Sequence, residues 1–127
     1  MPRKLNRGDK EKGLTLIELL IIITIIGILA AIAIPQLSQY KLRMYNNDAK
    51  ASLHGIYLAC KAYWSDNAGS NPCSIDIVKQ EPYGFNAPIN VVITVTPGKD
   101  IETNFEATAK HNTSNATYTI DENDNIS

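Results

Sequence analysis

One acidic residue, Glu18, lies near the start of an otherwise apolar stretch that runs from Leu14 to Ile34. Moving an ionised carboxylate into hydrocarbon costs about 2.5–3.5 kcal/mol, and such residues are usually paired and functional. Hydrolysis of the Gly13–Leu14 peptide bond would give Leu14 an ammonium group about one helical turn from the Glu18 carboxylate. These residue types and their spacing predict cleavage after Gly13 and an ion pair that involves Glu18.

Residues 1–13, which precede this stretch, are polar and carry five basic residues against two acidic ones. Basic residues that flank an apolar segment stay on the cytoplasmic side of the membrane. An ordinary secretory signal is cleaved after its apolar region, at small residues, whereas here the abrupt polar-to-apolar boundary comes first. The segment is therefore predicted to be a cytoplasmic leader that is removed during maturation.

Two segments carry a family resemblance, Gly13–Glu18 (GLTLIE) and Ile26–Pro35 (IGILAAIAIP). Together they resemble the class III signal peptide and N-terminal helix of bacterial type IV pilins, a match that covers about the first 35 residues directly. The resemblance implies that a prepilin peptidase cuts after Gly13 and N-methylates Leu14. It also implies that Glu18 neutralises the Leu14 amine of a neighbouring subunit in a filament. Leu14 itself departs from the family, where phenylalanine is most common.

The same resemblance implies an α+β fold, in which a long N-terminal helix packs on a small antiparallel β-sheet of about three to four strands. We expect a leader at residues 1–13, a hydrophobic membrane or filament-core helix at 14–35, and a globular domain at 36–127. That domain would contain the amphipathic half of the helix, a connecting loop and the sheet. About 90 residues outside the leader and the apolar helix suffice for one modest core.

The segment Leu14–Ile34 can span a membrane by itself. At 1.5 Å per residue its length is roughly 30 Å, the thickness of a bilayer core. Apolar residues occur on all sides of the predicted helix, so lipid or protein must surround it. Pro35 lacks an amide hydrogen and clashes with the preceding turn, and we expect it to kink or locally melt the helix. A plain signal anchor is the alternative, but it explains neither Glu18 nor Gly13.

Beyond Pro35 the apolar residues recur at three- and four-residue steps, which predicts an amphipathic helix that ends near Ser65 or Asp66. The predicted buried stripe comprises Leu37, Tyr40, Met44, Ala49, Leu53, Ile56, Cys60 and Tyr63. Period-two alternation then predicts three strands, Ile89–Thr96, Ile101–Lys110 and Ala116–Ile120, joined by short turns. Ser74–Val78 in the connecting loop is consistent with either a short helix or a strand.

Cys60 and Cys73 are the two cysteines of the chain. In a domain that faces outward from the inner membrane they are expected to form a disulfide, which would close a loop of about 14 residues and contribute on the order of 3 kcal/mol. Two reduced structural thiols are the alternative. Many pilins close a loop near the C-terminus with their cystine. Because no cysteine follows Cys73, receptor-binding roles of that loop are not carried over.

Net charge gives a weak indication about partners. Removing the five basic and two acidic leader residues from the chain's 12 and 13 leaves 7 basic and 11 acidic residues. A mildly acidic mature protein does not indicate a general nucleic-acid surface.

The sequence contains no recognisable catalytic or metal-binding pattern, so we expect no enzyme activity, no cofactor and no metal site. His54 and His111 have no zinc or haem spacing, so we expect surface or interface residues. The acidic segment Asp121–Asn125 lacks the full loop pattern of a calcium site, which favours a solvated turn. Tyrosines and Trp64 along the helix are interpreted as core or interface residues, with electron conduction as an alternative.

The sequence is therefore interpreted as the structural subunit of a type IV pilus, an extracellular filament for adhesion, twitching motility or related surface functions. Its expected partners are copies of itself in a helical filament, the prepilin peptidase and the inner-membrane pilus assembly machinery. The precursor is expected in the inner membrane, and the mature protein in the pilus at the cell surface. Two alternatives stay open, a pseudopilin of a type II secretion system and a membrane-anchored binding domain that never polymerises.

Overall fold

A computed structural model describes residues 15–127, so the predicted leader and the Gly13–Leu14 bond lie outside the described residues. The elements in chain order are α1 (Leu16–Asp66), α2 (Ile75–Val78), β1 (Val91–Val95), β2 (Ala107–His111) and β3 (Thr117–Ile120). A long helix followed by a three-stranded antiparallel sheet confirms the predicted α+β fold.

Helix α1 ends at Asp66, as predicted, and it is unbroken at Pro35. The missing amide hydrogen of Pro35 leaves the Ala31 carbonyl without its usual helical donor. One turn further on, the Ser38 hydroxyl donates to the Ile34 carbonyl at 3.2 Å. The kink expected at Pro35 stays a prediction.

The chain divides into two compact units between Gln39 and Tyr40. In the described part of the first unit nearly every side chain is exposed, whereas the second unit contains the hydrophobic core. The dividing point lies a few residues beyond the boundary expected from the sequence at Pro35.

The three strands form an antiparallel meander in the order β1-β2-β3. Val91 of β1 lies opposite His111, and Tyr118 of β3 lies opposite Ala109. The last residues return along the outer edge of β3, where the backbones of Thr119 and Ser127 exchange hydrogen bonds of 3.0 and 2.9 Å. This short return acts as a partial fourth strand, within the predicted range of three to four.

The core of the second unit lies between α1 and one face of the sheet. The helix contributes Ala49, Leu53, Ile56, Tyr57, Cys60 and Trp64, and the sheet side contributes Val91, Phe105, Ala107, Ala109 and Ile120. The predicted helical stripe is thus correct from Ala49 onward. It is wrong for Leu37, Tyr40 and Met44, whose side chains are more than half exposed.

The second predicted strand, Ile101–Lys110, is too long at its start, because β2 begins at Ala107. Its first residues form turns instead. Asn104 determines this local conformation, since its side-chain oxygen accepts from the Ile101 amide at 3.3 Å and its amide nitrogen donates to the Gly98 carbonyl at 3.1 Å. An asparagine that bonds nearby backbone groups competes in this way with strand pairing.

The connecting loop is fastened to the helix end by the Cys60–Cys73 disulfide, which confirms the predicted pairing. The indole nitrogen of Trp64 donates to the Asn71 carbonyl at 2.9 Å, close to the same point. Ser74 caps the four-residue helix α2 by accepting from the Ile77 amide. Of the two alternatives for Ser74–Val78, the structure shows the helix.

Candidate functional site

The candidate site is the exposed apolar part of α1 together with the polar residues at its start. From Leu16 to Ile34 every large hydrophobic side chain is at least 44% exposed, and Leu16 is 75% exposed. Helix α1 contains one segment long and apolar enough to cross a membrane, by length and composition. An apolar surface this extensive requires lipid or other apolar helices around it, because monomeric soluble proteins rarely expose one.

Glu18 and Thr15 cap the start of this helix reciprocally. The Thr15 amide donates to Glu18 Oε2 and the Glu18 amide donates to Thr15 Oγ1, each at 3.2 Å. This is the capping box, in which two backbone donors at the helix start are satisfied by side chains three residues apart. The carboxylate also interacts favourably with the positive end of the helix dipole.

The sequence patterns predicted an ion pair for Glu18 but not its contact with Thr15. The Thr-x-x-Glu spacing was the signal that could have identified it. An ionised carboxylate has about four lone-pair sites. The hydrogen bond from the Thr15 amide occupies one of them, so the Glu18 carboxylate can accept further hydrogen bonds. The capping box therefore fixes where the carboxylate lies and leaves room for a second partner.

The capping box does not depend on the predicted cleavage. Its donors are the peptide amides of Thr15 and Glu18, and hydrolysis of the Gly13–Leu14 bond alters neither of them. Because Gly13 and Leu14 lie outside the described residues, cleavage and N-methylation stay predictions, as does the ion pair of Glu18 with a neighbouring Leu14 amine.

At the other end of α1, Asp66 contacts the connecting loop. The Tyr83 hydroxyl donates to Asp66 Oδ2 at 3.0 Å, and the ring of Tyr83 meets that of Tyr63 edge-on at 5.7 Å. Partial burial raises the pKa of the Tyr83 hydroxyl, and the hydrogen bond and negative charge of Asp66 raise it further. In its neutral phenol form, the Tyr83 side chain holds the loop against the helix end.

A second charged contact lies in the connection between β1 and β2. Lys99 Nζ is 3.2 Å from Glu106 Oε2, and the Thr96 hydroxyl donates to Glu106 Oε1 at 3.0 Å. The hydrogen bond from Lys99, followed by that from Thr96, lowers the pKa of the Glu106 carboxyl. These contacts stabilise a turn and do not form a reactive site.

The two histidines have different environments. His54 is half exposed and lies 3.0 Å from Asp124 Oδ1, as expected of a surface residue. The expectation for His111 is wrong, because it is buried and stacks on Tyr45 with 4.3 Å between ring centroids. Its Nδ1 accepts the Thr113 amide at 3.1 Å, which satisfies the buried ring nitrogen.

The acidic C-terminal segment folds as a turn. Asp121 Oδ1 accepts the amides of Asn123 and Asn125, at 2.9 and 3.0 Å. Within residues 15–127, no group of three or more His, Cys, Asp or Glu side chains is arranged to hold a metal ion. Asp121 Oδ1 thus has structural partners within the turn.

Aromatic side chains along α1 face different environments. Tyr57 and Trp64 are buried against Phe105, and Tyr40 is 63% exposed. The first two therefore have the core role that the sequence interpretation preferred.

Comparison with known proteins identifies a matching family model and several similar proteins. A family model described as the prokaryotic N-terminal methylation motif matches residues 8–34. The chain is 46% identical over 59 residues to the type IV major pilin protein PilA of Myxococcus xanthus, which covers 46% of this chain and 27% of that protein.

Two further relatives match longer parts of the chain. The chain is 38% identical over 74 residues to the type IV major fimbrial protein FimA of Dichelobacter nodosus, covering 58% of this chain and 46% of that protein. It is 33% identical over 93 residues to the type IV major pilin protein PilE of Neisseria gonorrhoeae, covering 68% and 56%. The chain thus spans between about a quarter and a little over half of these relatives' lengths.

Proposed function

We propose that the chain is the structural subunit of a type IV pilus. The proposal starts from its match to the N-terminal methylation motif and its sequence similarity to type IV pilins. The observation that carries the proposal is the exposed apolar segment Leu16–Ile34 with one carboxylate fixed at its start. Lipid surrounds this segment before assembly, and the same segments of other copies surround it in the filament.

The transfer from lipid to filament exchanges one apolar environment for another, so hydrophobicity gives it little direction. A charge at the start of the helix can supply the missing preference. In the filament, Glu18 pairs with the methylated Leu14 amine of a neighbour. An ion pair in a dry environment is favourable only when its geometry is well fixed, and the capping box with Thr15 orients the carboxylate in advance.

Maturation precedes this step. The basic leader holds the N-terminus in the cytoplasm while the apolar helix crosses the inner membrane. A prepilin peptidase then cuts after Gly13 and methylates Leu14. The inner-membrane assembly machinery, driven by an ATPase that the family resemblance implies, moves the processed subunit into the filament, which extends from the cell surface.

Intact mass spectrometry of sheared surface filaments, with an inner-membrane sample beside them, tests the proposal. We expect a chain that begins at Leu14 and carries one methyl group, abundant in the sheared fraction. A processed chain confined to the membrane would instead indicate a pseudopilin or a minor subunit. An unprocessed chain in the membrane would overturn the filament proposal and favour an anchored domain that does not polymerise.

A further inference from the structure

The two edges of the sheet differ in how their backbone groups are satisfied. At the outer edge of β3, Thr119 exchanges two hydrogen bonds with Ser127, and the Asp121 amide donates to the Asn125 carbonyl at 3.1 Å. No segment among residues 15–127 pairs with the outer edge of β1 in this way. An uncovered edge strand is a template for pairing with another chain.

The register with β2 identifies which groups of β1 are directed outward. The Asn112 amide donates to the Asn90 carbonyl, and the Thr96 amide donates to the Glu106 carbonyl. Since hydrogen-bonded pairs alternate along an antiparallel ladder, the even-numbered residues of β1 bond to β2. The odd-numbered residues Ile93 and Val95 direct their N–H and C=O groups away from the sheet, and no hydrogen bond within residues 15–127 reaches these groups.

This free edge is short and has defined ends. On one side, the Val91 amide already donates to the Pro88 carbonyl at 3.2 Å. On the other side, Pro97 has no amide hydrogen to donate. The edge therefore offers two donors, the N–H groups of Ile93 and Val95, and three acceptors, the C=O groups of Val91, Ile93 and Val95.

The N–H and C=O groups of Ile93 and Val95 are complementary to those of a second copy. When β1 is placed antiparallel to the β1 strand of a second copy, Ile93 of the first copy can exchange two hydrogen bonds with Val95 of the second. Val95 of the first copy can do the same with Ile93 of the second. All four groups of Ile93 and Val95 are then used, whereas the Val91 carbonyl lies opposite Pro97. Thr94 lies opposite Thr94 on the twofold axis. A shift of two residues would leave the Val95 carbonyl opposite the Val91 amide, which is already bonded, or the Ile93 carbonyl opposite Pro97, which has no amide hydrogen.

The side chains around the edge also favour a second copy. No charged residue occurs between Phe85 and Gly98, so two identical edges do not repel each other. Thr94 and the 57% exposed Val92 lie on the outer face of the sheet, where self-pairing would bring Thr against Thr and Val92 against Thr96. Uncharged cross-strand pairs of β-branched residues are favourable.

We propose that β1 is a homotypic pairing edge through which two copies of this chain join their sheets. The proposal rests on the proposed function for its biological setting. Contacts along one helical filament are head-to-tail, whereas this contact is twofold and closes on itself. It therefore joins subunits of two different filaments. Each contact is small and weak, but its repetition along two filaments gives avidity, so that filaments associate into bundles.

The first experiment measures filament bundling by electron microscopy and low-speed sedimentation. Thr94→Lys or Thr94→Glu places like charges opposite each other on the twofold axis, and either variant should lose the sedimentable bundles while keeping single filaments. Mixing the two kinds of filament should restore bundles, because opposite charges then meet. The matched controls are Thr117→Lys and Thr117→Glu, which alter another exposed threonine of the same sheet and should leave bundling unchanged.

Wild-type filaments that stay single would overturn the proposal. It would also be overturned if the Thr94 variants still formed bundles, if the Thr117 variants lost them equally, or if the mixture failed to restore them. The appearance of single filaments in the Thr94 variants separates this result from a failure of the proposed function, which would give no filaments at all.

A second experiment does not need filaments. At the proposed twofold axis, Thr94 forms a pair without backbone hydrogen bonds, a position whose spacing suits a disulfide between strands. The full-length Thr94→Cys chain in membranes should form a crosslinked dimer on oxidation, and Thr117→Cys should not. Equal crosslinking of the two variants, or none with Thr94→Cys, would overturn the proposed pairing.

Discussion

The indole of Trp64 meets the ring of Phe105 edge-on, with 5.4 Å between ring centroids and an angle of 77° between the ring planes. Phe105 is completely buried, and Tyr57 contacts its ring from a centroid distance of 6.3 Å. This aromatic cluster joins the helix to the connection that precedes β2.

Replacing Phe105 with alanine should therefore be strongly destabilising. We expect a loss of about 3–5 kcal/mol in the free energy of unfolding, because a large buried ring leaves a cavity. The fluorescence of Trp64, the single tryptophan of the chain, reports unfolding of the detergent-solubilised protein directly at this contact. Val92→Ala at an exposed position is the control and should change stability little. Equal stability of the two variants would contradict the role given to the cluster.

The sequence predicted the helix end, the three strands and the cystine because each has a strong local signal. Breakers follow Asp66, alternation marks the strands, and the chain has two cysteines. It did not predict that β2 begins at Ala107, because alternation alone could not show that Asn104 bonds the backbone around it. The burial of His111 depends on its stacking against Tyr45, a contact between residues distant in the chain.

The candidate site was predicted in part. Glu18 stood out because one charge in an apolar stretch is costly. Its bond to Thr15 was not predicted, although the Thr-x-x-Glu spacing is typical of a capping box. The free edge of β1 could not be predicted, because it depends on which strand pairs with which and on the return of Ser127 along β3.

Glu18 has two structural properties that a pair of variants can separate. Glu18→Gln preserves the capping geometry, since glutamine also serves in a capping box, but it removes the charge. Glu18→Ala removes both. If the charge drives assembly, both variants should accumulate in the inner membrane and give few filaments, as measured by immunoblots of sheared and membrane fractions. Normal filaments from Glu18→Gln would show that the cap, and not the charge, is what assembly requires.

Thr15 allows the cap to be tested with the charge left in place. Thr15→Ala removes the hydroxyl that accepts the Glu18 amide, which should cost about 1 kcal/mol at the helix start. We expect a lower filament yield with unchanged membrane insertion, because the carboxylate is less well oriented. Thr15→Ser keeps the hydroxyl and should restore the yield. Loss of filaments with both variants would contradict the capping explanation.

The disulfide between Cys60 and Cys73 should contribute on the order of 3 kcal/mol, because it closes a loop of moderate length. Reducing agent should lower the melting temperature of the wild-type chain. The double variant Cys60→Ser/Cys73→Ser should melt at a lower temperature than oxidised wild type and should not respond to the reductant. A wild-type melting temperature that is insensitive to complete reduction would contradict this prediction.

The raised pKa of Tyr83 predicts a loss of stability at alkaline pH. Its pKa is raised in the folded chain, so unfolding favours loss of the proton, and the stabilisation is fully present below the ordinary value of 10.0. It is lost as the pH rises through the folded pKa. Melting temperatures measured across this range should fall less steeply for Tyr83→Phe. Asp66→Asn removes the neighbouring charge and should lower the pKa of Tyr83 in an absorbance titration of the phenol. An unchanged titration would contradict the role of Asp66.

Cys73 is bonded in two directions at once. Its sulfur is joined to Cys60 near the end of α1, and its amide donates to the Asp100 carbonyl at 2.7 Å, in the connection between β1 and β2. A force that pulls on the end of α1 is therefore transmitted to Cys73 through the disulfide bond. From Cys73 the force passes along the polypeptide backbone into the sheet. Under tension, the helix end could separate from the loop only by breaking a covalent bond, so mechanical failure should begin elsewhere in the domain.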